Sequence, residues 1–273
     1  MARRMSPART QGPRPRRVPQ NAGMSGGATS GPLALVGSGE FTSAMEDIDR
    51  RLLEGRPQRV VFLPTAAAPE GEERLRYWID LGLAHYRRLG FEPVPLSVRN
   101  RSDAEDQGLA AAVEGAGLVY MSGGNPAFLA ETLRGTAVGQ AIGRAWEAGA
   151  AVAGCSAGAM AMMERVPHIR EPDRTPTEGL GFVRGVVVLP HFDQMEHWMS
   201  GATELALKLA PPGFLVLGID EDTAVIGGPV EWRVYGRQSA WLLSATGERH
   251  RFPAGEKLLL DAQAEGSAAG EGR

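Results

Sequence analysis

The chain of 273 residues contains a single cysteine, Cys155. One thiol cannot close an intramolecular disulfide, so the fold has to be stabilised by a buried core, which a chain of this length can form. No window approaches the ~18 consecutive apolar residues of a membrane-spanning helix. We therefore expect a cytoplasmic protein with no membrane partner.

Acidic side chains are missing from residues 1–31, which carry six arginines. The net charge of −3 therefore hides a remainder with 23 basic and 32 acidic residues, and this acidic body argues against nucleic acid as a partner. Residues 1–31 also contain several prolines and no apolar stretch, so we expect a disordered basic leader, or a chain whose true start is Met24. Low sequence complexity predicts a disordered tail at residues 263–273.

Potential metal ligands are sparse as well. No histidine or cysteine pair has the spacing of a zinc site. His191, Asp193 and His197 could be drawn as a metal trio, to which we give little weight. Gly37-Ser38-Gly39 follows a predicted strand, but Thr42 stands where the third glycine of a dinucleotide-binding motif belongs. We expect neither a metal nor a cofactor.

The chain does contain short apolar strands that alternate with helical patterns. This alternation predicts one α/β domain over residues 32–262, with a three-layer, mostly parallel sheet and helices on both faces. Beyond Gly181 the predicted strands follow one another closely and indicate a C-terminal β extension, partly antiparallel. The predicted strands are 33–36, 59–63, 92–96, 118–121, 150–153, 186–189, 214–219, 223–226, 232–235 and 241–243, and the predicted helices are 42–53, 72–89, 126–133 and 138–148.

A glycine-flanked serine directly follows one of these strands, in Gly154-Cys155-Ser156-Ala157-Gly158. A strand–turn–helix elbow exposes a serine hydroxyl, and its glycines permit a strained turn with close packing. We therefore predict that Ser156 is a nucleophile and that the N–H of Ala157 faces a developing oxyanion. The alternatives are a packing turn with an idle serine, or Cys155 as nucleophile, although its side chain should point back into the protein.

A serine nucleophile needs a base, and His191 has the right placement among five histidines. It follows the apolar strand 186–189, which puts it on the rim where Ser156 lies. His85 on an amphipathic helix and His250 in a polar turn are most simply solvated. His168 falls in the loop after the elbow helix, and His197 begins a helical stretch.

The acid that would orient the base is left open by spacing alone. Glu221 follows another predicted strand, Asp193 stands two residues after the histidine, and Glu171 and Asp173 lie in the loop after the elbow. At a further strand end, Gly123-Gly124-Asn125 offers the Gly124 N–H as a second oxyanion donor. There Asn125 can also cap a helix that begins at Pro126.

Five motifs together resemble peptidase family S51, the peptidase E and cyanophycinase-like family of the class I glutamine amidotransferase-like superfamily. The resemblance spans about residues 33–245. It implies the three-layer fold, Ser156 as nucleophile, His191 as base, and the N–H groups of Gly124 and Ala157 as oxyanion donors. A cyanophycinase-like acid would be Glu221, and a peptidase E-like acid would lie near Glu171. The motifs are Gly123-Gly124-Asn125, Gly154–Ala159, Gly179-Leu180-Gly181, Pro190-His191-Phe192 and Gly218–Ala224.

Two departures qualify what the resemblance implies about substrate. Cyanophycinases carry several arginines soon after the histidine, whereas here none occurs between His191 and Arg233. A glutamine amidotransferase would carry its cysteine at position 156, where this chain has the serine.

The prediction is therefore a serine-type peptidase of dipeptidase or isopeptidase type. It would cleave a small peptide amide through an acyl-enzyme and a triad of Ser156, His191 and Glu221, with Asp193 and Glu171 as alternative acids. The alternatives are a catalytically silent or regulatory ligand-binding member of the same superfamily, and a non-peptide amidase. A homodimer is left open.

Overall fold

The computed structural model describes residues 30–260, apart from residues 170, 229 and 245. The predicted tail at 263–273 and all but two residues of the predicted leader at 1–31, including Met24, lie outside the described residues. The strands are β1 Leu33–Val36, β2 Arg59–Leu63, β3 Glu92–Pro95, β4 Leu118–Met121, β5 Ala151–Cys155, β6 Arg165–Val166, β7 Thr177–Glu178, β8 Val186–Pro190, β9 Leu215–Ile219, β10 Thr223–Gly227, β11 Glu231–Gly236, β12 Ser239–Leu243, β13 Arg249–Pro253 and β14 Lys257–Leu259.

Helices connect most of the early strands. The α-helices are α1 Glu46–Leu52, α2 Glu72–Arg88, α3 Arg101–Ala104, α4 Gln107–Ala111, α5 Pro126–Leu133, α6 Ala137–Glu147, α7 Ala157–Ala161, α8 Phe192–Trp198 and α9 Ala202–Leu209, with 3₁₀ turns at Ser43–Met45 and Thr65–Glu70. Among the described residues, none of these helices combines the length and apolarity needed to cross a membrane.

An eight-stranded sheet lies at the centre, in the order β14-β11-β10-β1-β5-β4-β2-β3. The five strands from β1 to β3 along this order are parallel, and the other three are antiparallel. The predicted α/β class with a mostly parallel sheet is confirmed. Parallel strands bring the carboxyl ends of β1, β4 and β5, and the glycine-rich turns after them, to one edge.

Alternating side chains of this sheet build a core on each face. In β1, Leu33 and Leu35 join one apolar cluster while Ala34 and Val36 join the other. The first cluster packs against α5, α6 and α7, and the second packs against α1 and α2. The central strands β1, β4 and β5 are therefore apolar throughout, because both of their faces are covered.

A second, four-stranded sheet in the order β13-β12-β9-β8 contains part of the predicted C-terminal extension. Its strands β8 and β9 are parallel, with Pro190 opposite Ile219. The sequence predicted that His191 follows a strand on the same rim as Ser156. This is wrong in one respect, because β8, which leads to His191, belongs to the second sheet. The chain crosses back to the central sheet between β9 and β10.

Three of the histidine interpretations need correction. His85 is buried, and its Nε2 lies 2.7 Å from Oδ2 of Asp49, so it is not solvated. Amphipathic spacing on α2 could not reveal this partner, because Asp49 comes from α1. His250 is exposed as predicted, but it lies on β13 rather than in a turn. His197 lies in the last turn of α8 and does not begin a helix.

Candidate active site

Ser156 lies in a strained turn between β5 and α7, with φ of 51° and ψ of −110°. Left-handed backbone is uncommon outside glycine and persists where the surroundings enforce it. The flanking glycines make the turn compact, since a Cβ on Gly158 would lie 2.2 Å from the carbonyl oxygen of Met121. A Cβ on Gly154 would likewise lie 2.4 Å from the carbonyl carbon of Gly158. Both glycines are required by close backbone packing, which presents the serine at the sheet edge.

His191 joins the serine to an acid. It directly follows β8 in a left-handed conformation with φ of 52°, and its Nε2 lies 3.0 Å from Oγ of Ser156. Its Nδ1 lies 2.8 Å from Oε1 of Glu221. A carboxylate can only accept a hydrogen bond, so Nδ1 carries the hydrogen and donates the hydrogen bond to Glu221. Nε2 is then left with a lone pair that can accept the serine O–H.

Glu221 is held in place by Asp193, one of the alternative acids. Asp193 Oδ1 accepts the backbone N–H of Glu221 at 2.8 Å, and Gln238 Nε2 donates both to Asp193 Oδ2 at 3.1 Å and to the carbonyl oxygen of Glu221 at 3.0 Å. Burial raises the pKa of Asp193, but the hydrogen bonds from Glu221, Gln194 and Gln238 outweigh it and the pKa is lowered. Asp193 is thus an anion that contacts the backbone of Glu221 and not the imidazole.

Glu171 lies elsewhere, in a cleft that also borders Gly124 and Met160. Its carboxylate faces Arg174 at 3.7 Å and is two-thirds exposed. In the same cleft, Nε2 of His168 lies 3.0 Å from Oγ1 of Thr177. Burial and the nearby Arg174 lower the pKa of His168.

The predicted oxyanion donors are the N–H groups of Gly124, in the turn after β4, and of Ala157, directly after the serine. Ala157 is the first residue of α7, so its N–H has no partner within the helix. Neither N–H donates to an acceptor among the described residues. Gly124 has φ of +136°, and a Cβ there would lie 2.3 Å from the carbonyl oxygen of Ala66.

The two neighbours of Gly124 have other partners. Gly123 donates its N–H to Oε1 of Glu40 at 2.9 Å, so this group is turned away from an oxyanion. Asn125 accepts the N–H of Phe128 at 3.0 Å and caps α5, which is the structural interpretation of this residue.

Glu40 is a residue that sequence patterns did not identify. Besides Gly123, its carboxylate accepts the S–H of Cys155 at 2.9 Å through Oε2. It therefore joins the turn after β4 to the strand that leads to Ser156. Cys155 is fully buried, and burial followed by the adjacent Glu40 raises the pKa of its thiol well above the usual range. A buried neutral thiol is not a nucleophile.

Trp198 is a second unpredicted neighbour. Its ring lies against the imidazole of His191, with centroids 5.0 Å apart and planes inclined by 56°. This contact was not predicted, because spacing along the sequence does not show what a side chain contacts.

Comparison with known proteins identifies the family of this chain. The model of peptidase family S51 matches residues 33–228. Cyanophycinases of Trichormus variabilis and a Nostoc species are each 29% identical over 175 residues, which cover 60% of this chain. The chain spans only 58% of the length of these curated relatives.

Two solved structures are similar in fold. A peptidase from an acI-B1 Actinobacterium is 36% identical, with a TM-score of 0.79 over 85% of this chain and 98% of that one. A Listeria monocytogenes EGD-e protein assigned as a peptidase E is 18% identical, with a TM-score of 0.56 over 77% of this chain and all of that one, and it supports the fold alone. With the family model covering most of the chain and a solved peptidase above 30% identity, the chain belongs to peptidase family S51.

Proposed function

We propose that this protein is a serine-type peptidase of dipeptidase or isopeptidase type, which cleaves a small peptide amide. The observation that carries the proposal is the continuous hydrogen-bonded line from Glu221 through His191 to Ser156, with distances of 2.8 and 3.0 Å. A nucleophile, a base and an acid in this order have the geometry of acyl transfer.

The reaction begins when Ser156 attacks the carbonyl carbon of the peptide bond. His191 takes the hydroxyl proton on Nε2, and Glu221 stabilises the resulting imidazolium through Nδ1. The tetrahedral intermediate then collapses, the C–N bond breaks, and the imidazolium returns the proton to the leaving nitrogen. A water molecule, activated by the same imidazole, hydrolyses the acyl-enzyme and regenerates the serine.

The negative charge of the tetrahedral intermediate requires donors that are already in position. The N–H groups of Gly124 and Ala157 fit this role because no acceptor among the described residues engages them. Gly123 does not contribute, since its N–H is committed to Glu40. Glu40 and Asp193 act through neighbouring groups. Glu40 holds the turn after β4, which carries a proposed oxyanion donor, and Asp193 holds the backbone of Glu221.

The relatives suggest which small peptides to test. Cyanophycinases motivate a β-aspartyl-arginine dipeptide, and the peptidase E-like fold motivates dipeptides with amino-terminal aspartate. This chain lacks the arginines that cyanophycinases carry after the histidine, so the panel also includes dipeptides with other amino-terminal residues. Simple carboxamides in the panel separate a peptidase from a non-peptide amidase.

The test compares Ser156→Ala with Ser102→Ala, which removes an exposed hydroxyl on α3. We expect a fluorophosphonate to label the wild-type protein and the Ser102 variant at Ser156, and Ser156→Ala to lose several orders of magnitude in turnover. Labelling that fails in folded protein contradicts the proposal and favours a regulatory ligand-binding protein. Turnover that survives Ser156→Ala also contradicts the proposal, because another group would then be the nucleophile.

Location and assembly belong to the same proposal. The one cysteine is buried and free, which is compatible with the reducing cytoplasm. Cell fractionation tests the cytoplasmic location, and light scattering tests for the homodimer.

A further inference from the structure

Trp198 is a large apolar side chain that remains exposed beside the reacting groups. It is 63% exposed even though its ring lies against His191. The other tryptophans among the described residues are buried or half-buried. An indole exposed to this extent beside the proposed base offers a surface on which an apolar group of a substrate would be favourably buried.

Helix α8 holds this indole in place from both ends. At its start, Phe192 packs so closely under β9 that a Cβ on Gly218 would lie 2.5 Å from the phenyl ring. Near its end, Glu196 accepts the N–H of Gly201 at 2.9 Å and that of Thr203 at 3.0 Å, which ties α8 to α9. The helix is therefore fixed at both ends, and Trp198, its last residue, lies against the imidazole of His191.

The charged groups of the same helix are already engaged. Asp193 accepts hydrogen bonds from Glu221, Gln194 and Gln238, and Glu196 is occupied by α9. No arginine occurs in the sequence between His191 and Arg233. The side chain of this segment that lies against the imidazole is the indole of Trp198, while Arg249 of β13 lies over the Phe192 ring at the start of the helix, 5.4 Å from the ring centroid.

The imidazole also defines which part of a substrate meets the indole. His191 must reach the leaving nitrogen to return its proton. The residue attached to that nitrogen therefore lies on the imidazole side, next to Trp198. We propose that Trp198 is the specificity determinant for the leaving residue and that it selects an aromatic or large apolar side chain there; this rests on the proposed peptidase function.

The experiment uses dipeptides that share one amino-terminal residue accepted by the wild-type enzyme and end in phenylalanine, leucine, glycine or arginine. The readout is the ratio of kcat/KM for the phenylalanine and glycine substrates. We expect a wild-type ratio of at least about 10, because an aromatic pair adds to the area that is buried. Trp198→Ala should bring the ratio below about 3, and Trp198→Phe should restore most of it. Tyr77→Ala, which removes another exposed aromatic side chain on α2, should keep the wild-type ratio.

The possible results separate cleanly. A flat wild-type profile, a preference for arginine over phenylalanine, or an equal loss on all substrates in Trp198→Ala overturns the inference. The equal loss would mean that the indole only supports His191. If a fluorophosphonate labels Ser156 but no dipeptide is cleaved, the substrate class and this inference are both wrong. If Ser156 is not labelled at all, it is the proposed function that has failed.

Discussion

Glu221→Gln is the substitution that examines the proposed triad most directly. The change removes the negative charge but keeps the size of the side chain and an oxygen that can still accept the Nδ1–H of His191. Its effect should therefore fall on the imidazolium that forms during catalysis, and much less on the resting geometry.

The distance sets the magnitude of that effect. Two unit charges separated by the 2.8 Å between Nδ1 and Oε1 attract by about 6 kcal/mol at an effective dielectric constant of 20. The two side chains are 24% and 35% exposed, so solvent screening reduces the usable part by roughly half. About 3 kcal/mol corresponds to a loss of about 10²-fold in kcat/KM, and a flipped amide that favours the wrong tautomer would extend it toward about 10⁴-fold.

Steady-state hydrolysis of the best dipeptide measures this loss, and two further acid variants provide the comparison. Asp193→Asn should cost about 10-fold, because it only loosens the backbone of Glu221. Glu171→Gln should cost less than about 3-fold, because its carboxylate faces Arg174. Glu221→Gln within 3-fold of wild type, or Glu171→Gln as the more damaging change, would refute the assignment.

Three further outcomes follow from packing and charge. Gly158→Ala should lower the free energy of unfolding, measured by urea denaturation, by about 1–3 kcal/mol, because its Cβ would meet the carbonyl oxygen of Met121 at 2.2 Å. The control is Gly143→Ala on α6, where the Cβ has open space and the free energy of unfolding should rise by up to about 1 kcal/mol. Glu40→Ala should slow fluorophosphonate labelling at least about 10-fold and lower the free energy of unfolding by about 1–3 kcal/mol, because two donors lose a charged acceptor. Unchanged labelling kinetics would contradict the proposed part of Glu40 in holding the turn after β4. Asp193 has a folded-state pKa below its usual 3.8, so its stabilising contribution is present above that value and is lost as the pH falls through the folded pKa. Wild type should therefore lose more unfolding free energy than Asp193→Asn between pH 5 and roughly 2, and parallel acid titration curves would count against this.

The order of elements could be predicted from the sequence because the early strands carry local signals. Continuous apolar strands and the glycine turns that close them predict a parallel sheet, and this places Ser156 at a strand end. The position of His191 after its strand is equally local. These are features of a few adjacent residues, which is the range over which sequence patterns are informative.

What the sequence did not predict depends on contacts between distant segments. Glu221 was the first choice of acid through the family resemblance, but spacing left Asp193 and Glu171 as alternatives, because the crossing between the two sheets that brings Glu221 to His191 is not a local signal. Glu40 could be recognised only when the turns after β1 and β4 were seen together. His85 was taken for a surface residue, because its partner Asp49 belongs to another helix. Each of these residues is separated from its partner by tens of positions.

Different parts of the fold set the two distances within the candidate triad. Pro190 and Ile219 are paired neighbours on β8 and β9. The register of these two parallel strands therefore sets the distance between the base and the acid. The spacing between base and nucleophile has a different origin, because Ser156 projects from the central sheet and depends on how the two sheets pack. A change that shifts one sheet against the other by an ångström would leave the acid–base pair intact and separate it from the serine. Core substitutions far from the site would thus abolish the proposed activity without touching any of the reacting groups.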